Sequence, residues 1–253
     1  MYIDTHCHLS KEDYDDIDLI INDNRKAKID AIIISGCTKE SIIESLELSK
    51  KYNDLFVTIG YHPSESNFTN TEDINVLKKQ LLEDKVVGIG EIGLDYHYGK
   101  ENIEEQKKLF RDQLKIAEEL DLPVVIHSRD ATEDTINILK EFDVKGIIHC
   151  FSGSVETARE YIKMGFLLGI GGVVTFKNSN LYKVVEEVGL SNIVLETDSP
   201  YLTPSPYRGE KNSSKYIPII ASRISEILNV SIEEVAKITT NNAKTLFDLK
   251  SIL

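Results

Sequence analysis

Short runs of apolar residues alternate along the whole chain with longer segments of helical periodicity. The short runs have the length and composition of buried strands. They begin near Tyr2, Ala31, Leu55, Val86, Pro123, Gly146, Phe166 and Ile193. Successive starts lie 20 to 37 residues apart, which leaves room for a helical crossover between parallel strands. Eight such units predict an α/β fold, a (β/α)8 TIM barrel.

The helical segments support the same architecture. Apolar residues recur at helical spacing between Ile103 and Ala117, and again between Ile136 and Lys140 after a predicted cap at Asp130. A loop from Ser199 to Gly209 follows the last strand, and two further helical patterns come after it. The second opens with the capping-box sequence Ser231–Glu234. No linker or break in composition divides residues 1–253, so we expect a single domain.

Side chains that can bind metal stand at the ends of the predicted strands. They are His6, His8, Glu91, His127, His149 and Asp198. Imidazole and carboxylate are the usual ligands of a divalent ion in a hydrolytic site. Because the C-terminal ends of parallel strands meet at one face of a barrel, these side chains are expected to converge there. The pattern therefore predicts a metal-dependent hydrolase.

Six ligands are more than one tetrahedral ion needs, so we expect two divalent ions, Mg²⁺, Zn²⁺ or Mn²⁺. Glu91 is the predicted bridging ligand, since it comes from the middle strand of the set. Two ions ~3.5–4 Å apart can polarise a phosphoryl oxygen and activate a water. Asp198 could bind metal and also act as general base, although Ser199 and Pro200 after it leave a helix cap as the alternative.

A second group of residues is suited to binding an anionic substrate. His62 follows the third strand in a Gly-Tyr-His-Pro sequence, Arg129 lies two residues beyond His127, and Arg208 lies in the loop after the last strand. Arginine matches phosphate oxygens with a forked pair of donors. The alternative for each is a loop salt bridge or an exposed cation. His97 ends no strand and is interpreted as an exposed loop residue.

The three cysteines, an odd number, suggest reduced thiols in a cytoplasmic protein. Strand alternation is expected to turn Cys7 and Cys150 away from their histidine neighbours, into the packing under the helices. Cys37 shows no partner in the sequence. The N-terminus has no basic start or apolar signal core, and no apolar run is long enough to span a membrane.

One motif in the sequence is misleading. Gly88–Gly93 matches the dinucleotide-binding fingerprint and follows a strand. That fingerprint also needs a helix that opens at the third glycine, whereas a loop-like sequence follows here. The glycines are interpreted as letting the backbone pass close to the metal centre through Glu91.

The net charge of −13 argues against tight binding along a DNA duplex, because such proteins usually carry a basic surplus. Any contact with nucleic acid is therefore expected to be weak, local and sensitive to salt. We expect a monomer that makes no membrane contact.

Three segments resemble the signatures of the TatD family of metal-dependent deoxyribonucleases: Asp4–Leu9, Pro123–Glu133 and Leu195–Pro200. Gly60–Pro63, Gly90–Asp95 and His149–Gly153 fit the same family in order and spacing. The resemblance implies a TIM barrel with a two-metal centre and cleavage of DNA phosphodiesters. It also implies 3′-to-5′ exonuclease action on single strands and a part in DNA repair.

By position, the six residues at the strand ends inherit the metal roles from this resemblance, and His62 and Arg129 inherit substrate contact. The chain departs from the family pattern at Ser10 and at Asn212-Ser-Ser, and the second departure bears on the substrate loop around Arg208. Two other functions stay open on the sequence. One is an amidohydrolase-like enzyme that cleaves an amide or ester, such as an aminoacyl ester on tRNA; the other is a non-catalytic metal or nucleic-acid binding module.

Overall fold

Eight parallel strands form one sheet in which each strand pairs with the next along the chain. The computed structural model describes residues 1–99 and 101–249. The strands are β1 (Tyr2–Cys7), β2 (Ile29–Gly36), β3 (Leu55–Ile59), β4 (Val86–Asp95), β5 (Val124–Arg129), β6 (Gly146–Ile148), β7 (Leu167–Ile170) and β8 (Ile193–Leu195). Each begins within two residues of its predicted start.

Helices alternate with the strands, as a barrel of βα units requires. Within the described residues the helices are α1 (Ile17–Lys26), α2 (Lys39–Lys51), α3 (Thr71–Gln80), α4 (Ile103–Leu120), α5 (Thr132–Leu139), α6 (Val155–Lys163), α7 (Leu181–Val188), α8 (Ile217–Leu228) and α9 (Ile232–Leu246). None of the described helices is long and apolar enough to cross a bilayer.

The last strand closes against the first, and the seam lies beside the predicted metal ligands. The backbone N–H of Asp198 donates to the carbonyl of His6 at 3.0 Å, and the Thr5 hydroxyl donates to the carbonyl of Leu195 at 2.9 Å. The buried carboxylate of Asp4 accepts from the hydroxyl and the N–H of Thr197 at 2.6 and 3.0 Å. The prediction of a (β/α)8 barrel is confirmed.

The interior of the barrel and the layer between strands and helices form two separate cores. The interior core takes side chains from every strand: Ile3, Ala31, Ile33, Phe56, Val87, Val125, Ile147, Leu167 and Val194. Ala243 of α9, with Phe247 and Leu249 after it, joins this core. Because side chains on a strand alternate between its faces, positions two residues beyond Val125, Ile147 and Val194 also face the interior. This alternation directs polar side chains toward the open, C-terminal mouth.

The glycines of β4 serve the packing of two neighbouring strands. Gly93 has a φ of +142°, and a Cβ there would lie 2.0 Å from the carbonyl oxygen of His127. A Cβ at Gly90 would lie 2.6 Å from Cβ of Val125. The whole Gly88–Gly93 motif lies within β4, so no helix opens at its third glycine and the cofactor reading is excluded. The glycines admit the close approach of β5, and the neighbour of Gly93 is His127, itself a predicted metal ligand.

Two predicted helix caps have different outcomes. Ser231 accepts a hydrogen bond from the Glu234 N–H at the start of α9, as predicted. The predicted cap at Asp130 is wrong, because Ala131 takes the N-cap position of α5 without a side-chain cap. Asp130 instead adopts a φ of +54° and contacts the ring of His97 at 3.0 Å. His97 is exposed in its loop, as predicted.

Candidate metal centre

The residues predicted as metal ligands meet in one cavity at the C-terminal mouth of the barrel. His6, Glu91 and His127 lie within strands β1, β4 and β5; His8, His149 and Asp198 lie just beyond strands β1, β6 and β8. All of these except the deeper His6 line a cavity of about 740 Å³. His62, Arg129 and Tyr201 line the same cavity. Ligands that lie 192 residues apart in the chain, from His6 to Asp198, are therefore neighbours in space.

Glu91 lies at the centre of this arrangement. Its Oε1 lies 2.7 Å from Nδ1 of His127 and 3.2 Å from Nε2 of His149. Its Oε2 lies 3.6 Å from Nε2 of both His6 and His8. Each carboxylate oxygen thus faces a different pair of histidines. This is the arrangement expected of a carboxylate shared by two ligand groups.

The donor set fits divalent cations. Glu91, His127 and His149 form one group whose ligand atoms lie within 4.8 Å of one another, and His6, His8 and Glu91 form a second. Both ring nitrogens of His6 are buried without a hydrogen-bond partner among the described residues. Buried polar atoms are normally satisfied, so the one lone pair of the neutral His6 ring is available to a cation. The site binds divalent metal.

The carboxylates of the site are held in their charged form. Burial alone would raise the pKa of Glu91, but His149, His127 and His6 outweigh it and hold the pKa well below its usual range. Burial likewise opposes ionisation of Asp198, but its close contact with His6 at 3.6 Å and the nearby His149 outweigh burial and lower its pKa. The two anionic ligands are therefore ready to bind cations at neutral pH.

Three of the histidines hold protons more tightly than usual. Burial would lower the pKa of His8, but Cys37, Glu91 and Asp198 outweigh it and raise the pKa to about 9. Burial would also lower the pKa of His149, but the negative charges of Glu91 and Glu196 outweigh burial and raise the pKa well above its ordinary value. The pKa of His127 is raised too, against burial, by hydrogen bonds to Asp95 and Glu91. The pKa of His6 is lowered by burial and by His149.

We expect metal affinity to rise with pH as a consequence. A metal ion binds the unprotonated ring nitrogen and so must displace the proton that His8, His127 or His149 holds near neutral pH. Between about pH 6.5 and about pH 8.5 the dissociation constant should fall about tenfold per pH unit for each displaced proton. Calorimetry of Mn²⁺ binding in buffers of different ionisation enthalpy measures this proton release.

The matched control for this measurement is His97→Gln, because His97 is exposed and contacts Asp130 outside the ligand set. This variant should keep the same pH dependence as the unaltered protein. A dissociation constant that stays constant over the same range would contradict the assignment of protonated ligands.

His62 is a hydrogen-bond donor toward the cavity. Its Nδ1 accepts from the backbone N–H of Ser64 at 3.2 Å, so the proton of the neutral ring is on Nε2. Burial lowers the pKa of His62 to about 4, which keeps the ring neutral. Nε2 lies 3.9 Å from Oε1 of Glu91. His62, Asp95 and His127 also cluster closely enough for a metal ion, but an Nε2–H offers no lone pair, so His62 is better suited to donate to an anion.

The two predicted substrate arginines occupy different positions. Arg129 lines the cavity, with its guanidinium 5.3 Å from the ring centre of Tyr98 and 3.3 Å from the Tyr98 hydroxyl. It makes no ion pair with any carboxylate in residues 1–99 and 101–249. Arg208 stacks on Phe176 at 4.1 Å and donates to the carbonyl of Thr203; it is not among the described residues that line the cavity. Its role in substrate binding stays a prediction.

Two carboxylates with contacts to the ligands were missed in the sequence. Asp95 Oδ2 lies 3.0 Å from Nε2 of His127, and the fully buried Glu196 lies 3.4 Å from Nδ1 of His149. The period of two along a strand is a signal that could have found both. Asp95 is four residues after Glu91 in β4, and Glu196 is two residues before Asp198.

The cysteine predictions are partly wrong. Cys7 packs in the core under the helices, as predicted. Cys150 lines the metal cavity instead, because β6 ends at Ile148 and Cys150 has a φ of +47°, so strand alternation does not extend to it. Cys37 lines the cavity as well, close enough to His8 to raise the pKa of that ring, although the sequence showed no partner for it.

Asn212, which directly precedes the departure from the family pattern at Ser213 and Ser214, has a structural role. The Asn212 side chain is fully buried and donates to the carbonyls of Thr197 and Tyr201 at 2.9 and 2.6 Å. These bonds hold the segment on either side of Asp198. Asp198 itself makes no side-chain helix cap among the described residues, which removes the alternative considered for it.

A parallel barrel with histidine and carboxylate ligands at the C-terminal ends of its strands defines a metal-dependent hydrolase. The chain belongs to the TatD-related DNase family, whose model matches residues 3–248. It is 44% identical to the uncharacterized metal-dependent hydrolase YabD of Bacillus subtilis, over 98% of this chain and 99% of YabD.

Solved structures agree with this assignment. The crystal structure of YjjV, a TatD homolog from Escherichia coli K12, matches with a TM-score of 0.90 and 29% identity over 98% of both chains. An uncharacterized amidohydrolase from Saccharomyces cerevisiae shares the fold, with a TM-score of 0.84 and 19% identity over 97% of this chain and 99% of that one.

Proposed function

We propose that this chain hydrolyses phosphodiester bonds of DNA with two divalent ions, and that it shortens single strands from the 3′ end. The observation that carries the proposal is the sharing of Glu91 by two ligand groups, beneath a cavity whose wall offers His62 and Arg129 as anion donors. The family match supports DNA as the substrate. The polarity and the preference for single strands follow from the resemblance of the sequence signatures.

The ligands divide between two ions around Glu91. His127 and His149 would hold one, and His6, His8 and Asp198 would hold the other. When bound, such a pair supplies polarisation of a phosphoryl oxygen, acidity to a water and stabilisation of the leaving oxygen.

Asp198 has the properties of the general base. Its side chain is 16% exposed at the cavity wall, and its lowered pKa keeps the carboxylate ionised at neutral pH. Its Oδ1 lies 3.6 and 3.7 Å from Nε2 of His6 and His8, so the carboxylate is oriented toward the ligands. In this position it can accept the proton of an attacking water as the new bond to phosphorus forms.

His62 and Arg129 are suited to the phosphate group itself. The Nε2–H of a neutral His62 can donate to one phosphoryl oxygen. Arg129 can offer a forked pair of donors to another, and its stacking on Tyr98 holds the guanidinium at the wall. Such donors stabilise negative charge that develops on phosphate during hydrolysis.

The surface around the cavity favours a single strand. Tyr98 and Tyr201 line the cavity and are 85% and 59% exposed, so their rings are accessible to unpaired bases. Base stacking on aromatic side chains is the usual way to bind single strands without reading their sequence. The net charge of −13 offers little attraction to an extended duplex backbone.

The experiment compares four substrates with Mn²⁺-loaded protein: a 5′-labelled single strand, the same strand in a duplex, bis-p-nitrophenyl phosphate and an aminoacyl ester. We expect the single strand to shorten in steps from its 3′ end, faster than the duplex, and the nitrophenyl diester to be cleaved slowly. Faster turnover of the aminoacyl ester than of either phosphodiester would replace this proposal with an amidohydrolase-like function. Binding of the strand without turnover in Mg²⁺, Mn²⁺ or Zn²⁺ would indicate a binding module.

Arg129→Gln is expected to weaken single-strand binding about 10–100-fold, since a hydrogen bond to a charged group is worth ~1.5–3 kcal/mol. The slope of log affinity against log salt should become shallower by about 0.7, the value for one lost phosphate contact on a single strand. Fluorescence anisotropy of a labelled oligonucleotide at several salt concentrations measures both.

Arg159→Gln serves as the matched control for Arg129→Gln. Arg159 is an exposed arginine on α6 that pairs with Glu187 at 2.6 Å. It carries the same charge but is not among the described residues that line the cavity. An equal loss of affinity in both variants would show that Arg129 acts only through the overall charge of the protein.

A further inference from the structure

Glu196 is a fully buried carboxylate that the proposed reaction does not use. It lies beneath the cavity, two residues before Asp198, with 0% of its surface exposed. Its Oε1 accepts from the backbone N–H of Cys150 at 2.6 Å, while its Oε2 has no hydrogen-bond partner in the described part of the chain. A buried carboxylate is costly unless a donor or a cation compensates it, so Glu196 requires an explanation.

The barrel provides space for this carboxylate. A Cβ at position 169 would lie 2.1 Å from Oε2 of Glu196, a distance that side chains do not tolerate. Gly169 lies in β7, on the strand beside Glu196. The absence of a side chain at Gly169 therefore provides the space that the Glu196 carboxylate occupies.

The group that compensates Glu196 is the ring of His149. Oε1 of Glu196 lies 3.4 Å from Nδ1 of His149, while Nε2 of that ring lies 3.2 Å from Glu91. Nδ1 is buried and has no hydrogen bond of good geometry to any described residue, so a small rotation of the ring would let its N–H donate to Oε1 of Glu196, the oxygen that also accepts from Cys150. Metal-bound histidines commonly donate the other ring N–H to a carboxylate, which fixes the ring and raises its basicity.

The same relation exists on the other side of Glu91. His127 places Nδ1 at 2.7 Å from Glu91 and Nε2 at 3.0 Å from Asp95. Acid and imidazole groups thus alternate through the site, in the order Glu196, His149, Glu91, His127 and Asp95. Each ring has one nitrogen toward the shared carboxylate and one toward an outer carboxylate.

We propose that Glu196 is a positioning residue that holds the Nδ1–H of His149, so that Nε2 is presented to the ion shared with His127. Asp95 accepts a hydrogen bond from the Nε2–H of His127 in the same way. Nδ1 of His127 is then free to bind the same ion. The two rings therefore bind through different nitrogens. Glu196 acts through His149 and has no contact with substrate.

The test measures Mn²⁺ binding to Glu196→Gln by calorimetry and chelator competition, without DNA. Gln keeps the size of the side chain and an oxygen that can accept from Cys150 and from Nδ1–H of His149, but it lacks the negative charge that strengthens the bond to Nδ1–H. Loss of such an outer partner typically costs 10–100-fold in metal affinity. We expect one of two binding steps to weaken about 10–100-fold, and the step at His6, His8 and Asp198 to stay within about threefold.

A second variant tests the same role without changing a charge. Gly169→Ala should displace the Glu196 carboxylate and weaken the same binding step. Both substitutions act through one contact, so their effects should not add. The Mn²⁺ affinity of the double variant should lie within about threefold of that of the weaker-binding single variant. Gly171→Ala is the matched control, since a Cβ there would lie 3.6 Å or more from Glu196 and should leave both steps unchanged.

Unchanged binding in Glu196→Gln, or equal weakening of both steps with a fall in melting temperature, would overturn the positioning role. Thermal unfolding of each variant shows whether weaker Mn²⁺ binding comes from a destabilised fold or from the loss of one binding step alone. The measurement uses no nucleic acid, so it gives the same answer whether or not DNA proves to be the substrate.

Discussion

Replacement of Asp198 by asparagine is expected to lower the rate of DNA hydrolysis by about 10³-fold, within the range attributed to general-base catalysis. The amide cannot accept a proton from water and is a weaker ligand than a carboxylate. The fold should survive, because Asp198 has a φ of +53° and asparagine, like aspartate, is tolerated in that region. Single-turnover assays with excess Mn²⁺ measure the loss.

Asp121→Asn is a close control for this substitution. Asp121 follows α4 with a φ of +50°, at the opposite end of the barrel, and it is exposed. Its replacement should leave the rate unchanged. Metal-dependent cleavage at an undiminished rate in Asp198→Asn would refute the role of Asp198 as base and ligand.

Replacement of Glu91 by glutamine is expected to have the largest effect of any single substitution. Glu91 belongs to the ligand group of His127 and His149 and also to that of His6 and His8, so its loss should impair both ions. The amide has one acceptor oxygen and would turn an NH₂ group toward imidazole nitrogens. We expect tight binding of at least one ion to be lost and hydrolysis to fall by more than about 10³-fold, since the reaction depends on both ions.

Mass spectrometry of the metal content and the single-strand assay measure the two effects of Glu91→Gln together. Glu187→Gln is the matched control, since Glu187 is exposed on α7 and pairs with Arg159. Retention of two tightly bound ions in Glu91→Gln would show that Glu91 is not the shared ligand. Full activity with one ion would show that the second ion is not needed.

The order of strands and helices could be predicted from the sequence because hydrophobic periodicity reflects burial directly. A strand buried on both faces reads as a continuous apolar run, and each of the eight runs became a strand of the barrel. The closure between β8 and β1 followed from the fold class. Its bonds, from Asp198 to His6 and from Thr197 to Asp4, could not be read from either segment alone.

The convergence of the ligands followed from the same topology, since every ligand lies in the C-terminal half of a strand or just beyond its end. The outer carboxylates were missed because the strand period places Asp95 and Glu196 near the ligands but does not identify the histidine that each one contacts. Their roles depend on register between strands that are far apart in the chain. Glu196 meets His149 across β7 and Asp95 meets His127 across the β4–β5 pair.

Local backbone geometry explains the remaining differences. Cys150 and Asp130 both follow the ends of strands in left-handed conformations, where neither strand alternation nor helix-cap rules apply. The glycines of β4 were interpreted by their closeness to Glu91 in sequence. Their actual neighbours are in β5, which only the three-dimensional packing shows.

The most direct test of the central claim is an anomalous difference map from a crystal soaked in Mn²⁺. We expect two peaks about 3.5–4 Å apart, with Glu91 in contact with both. One peak should lie beside His127 and His149, and the other beside His6, His8 and Asp198. A single peak, or peaks away from these side chains, would contradict the two-metal centre.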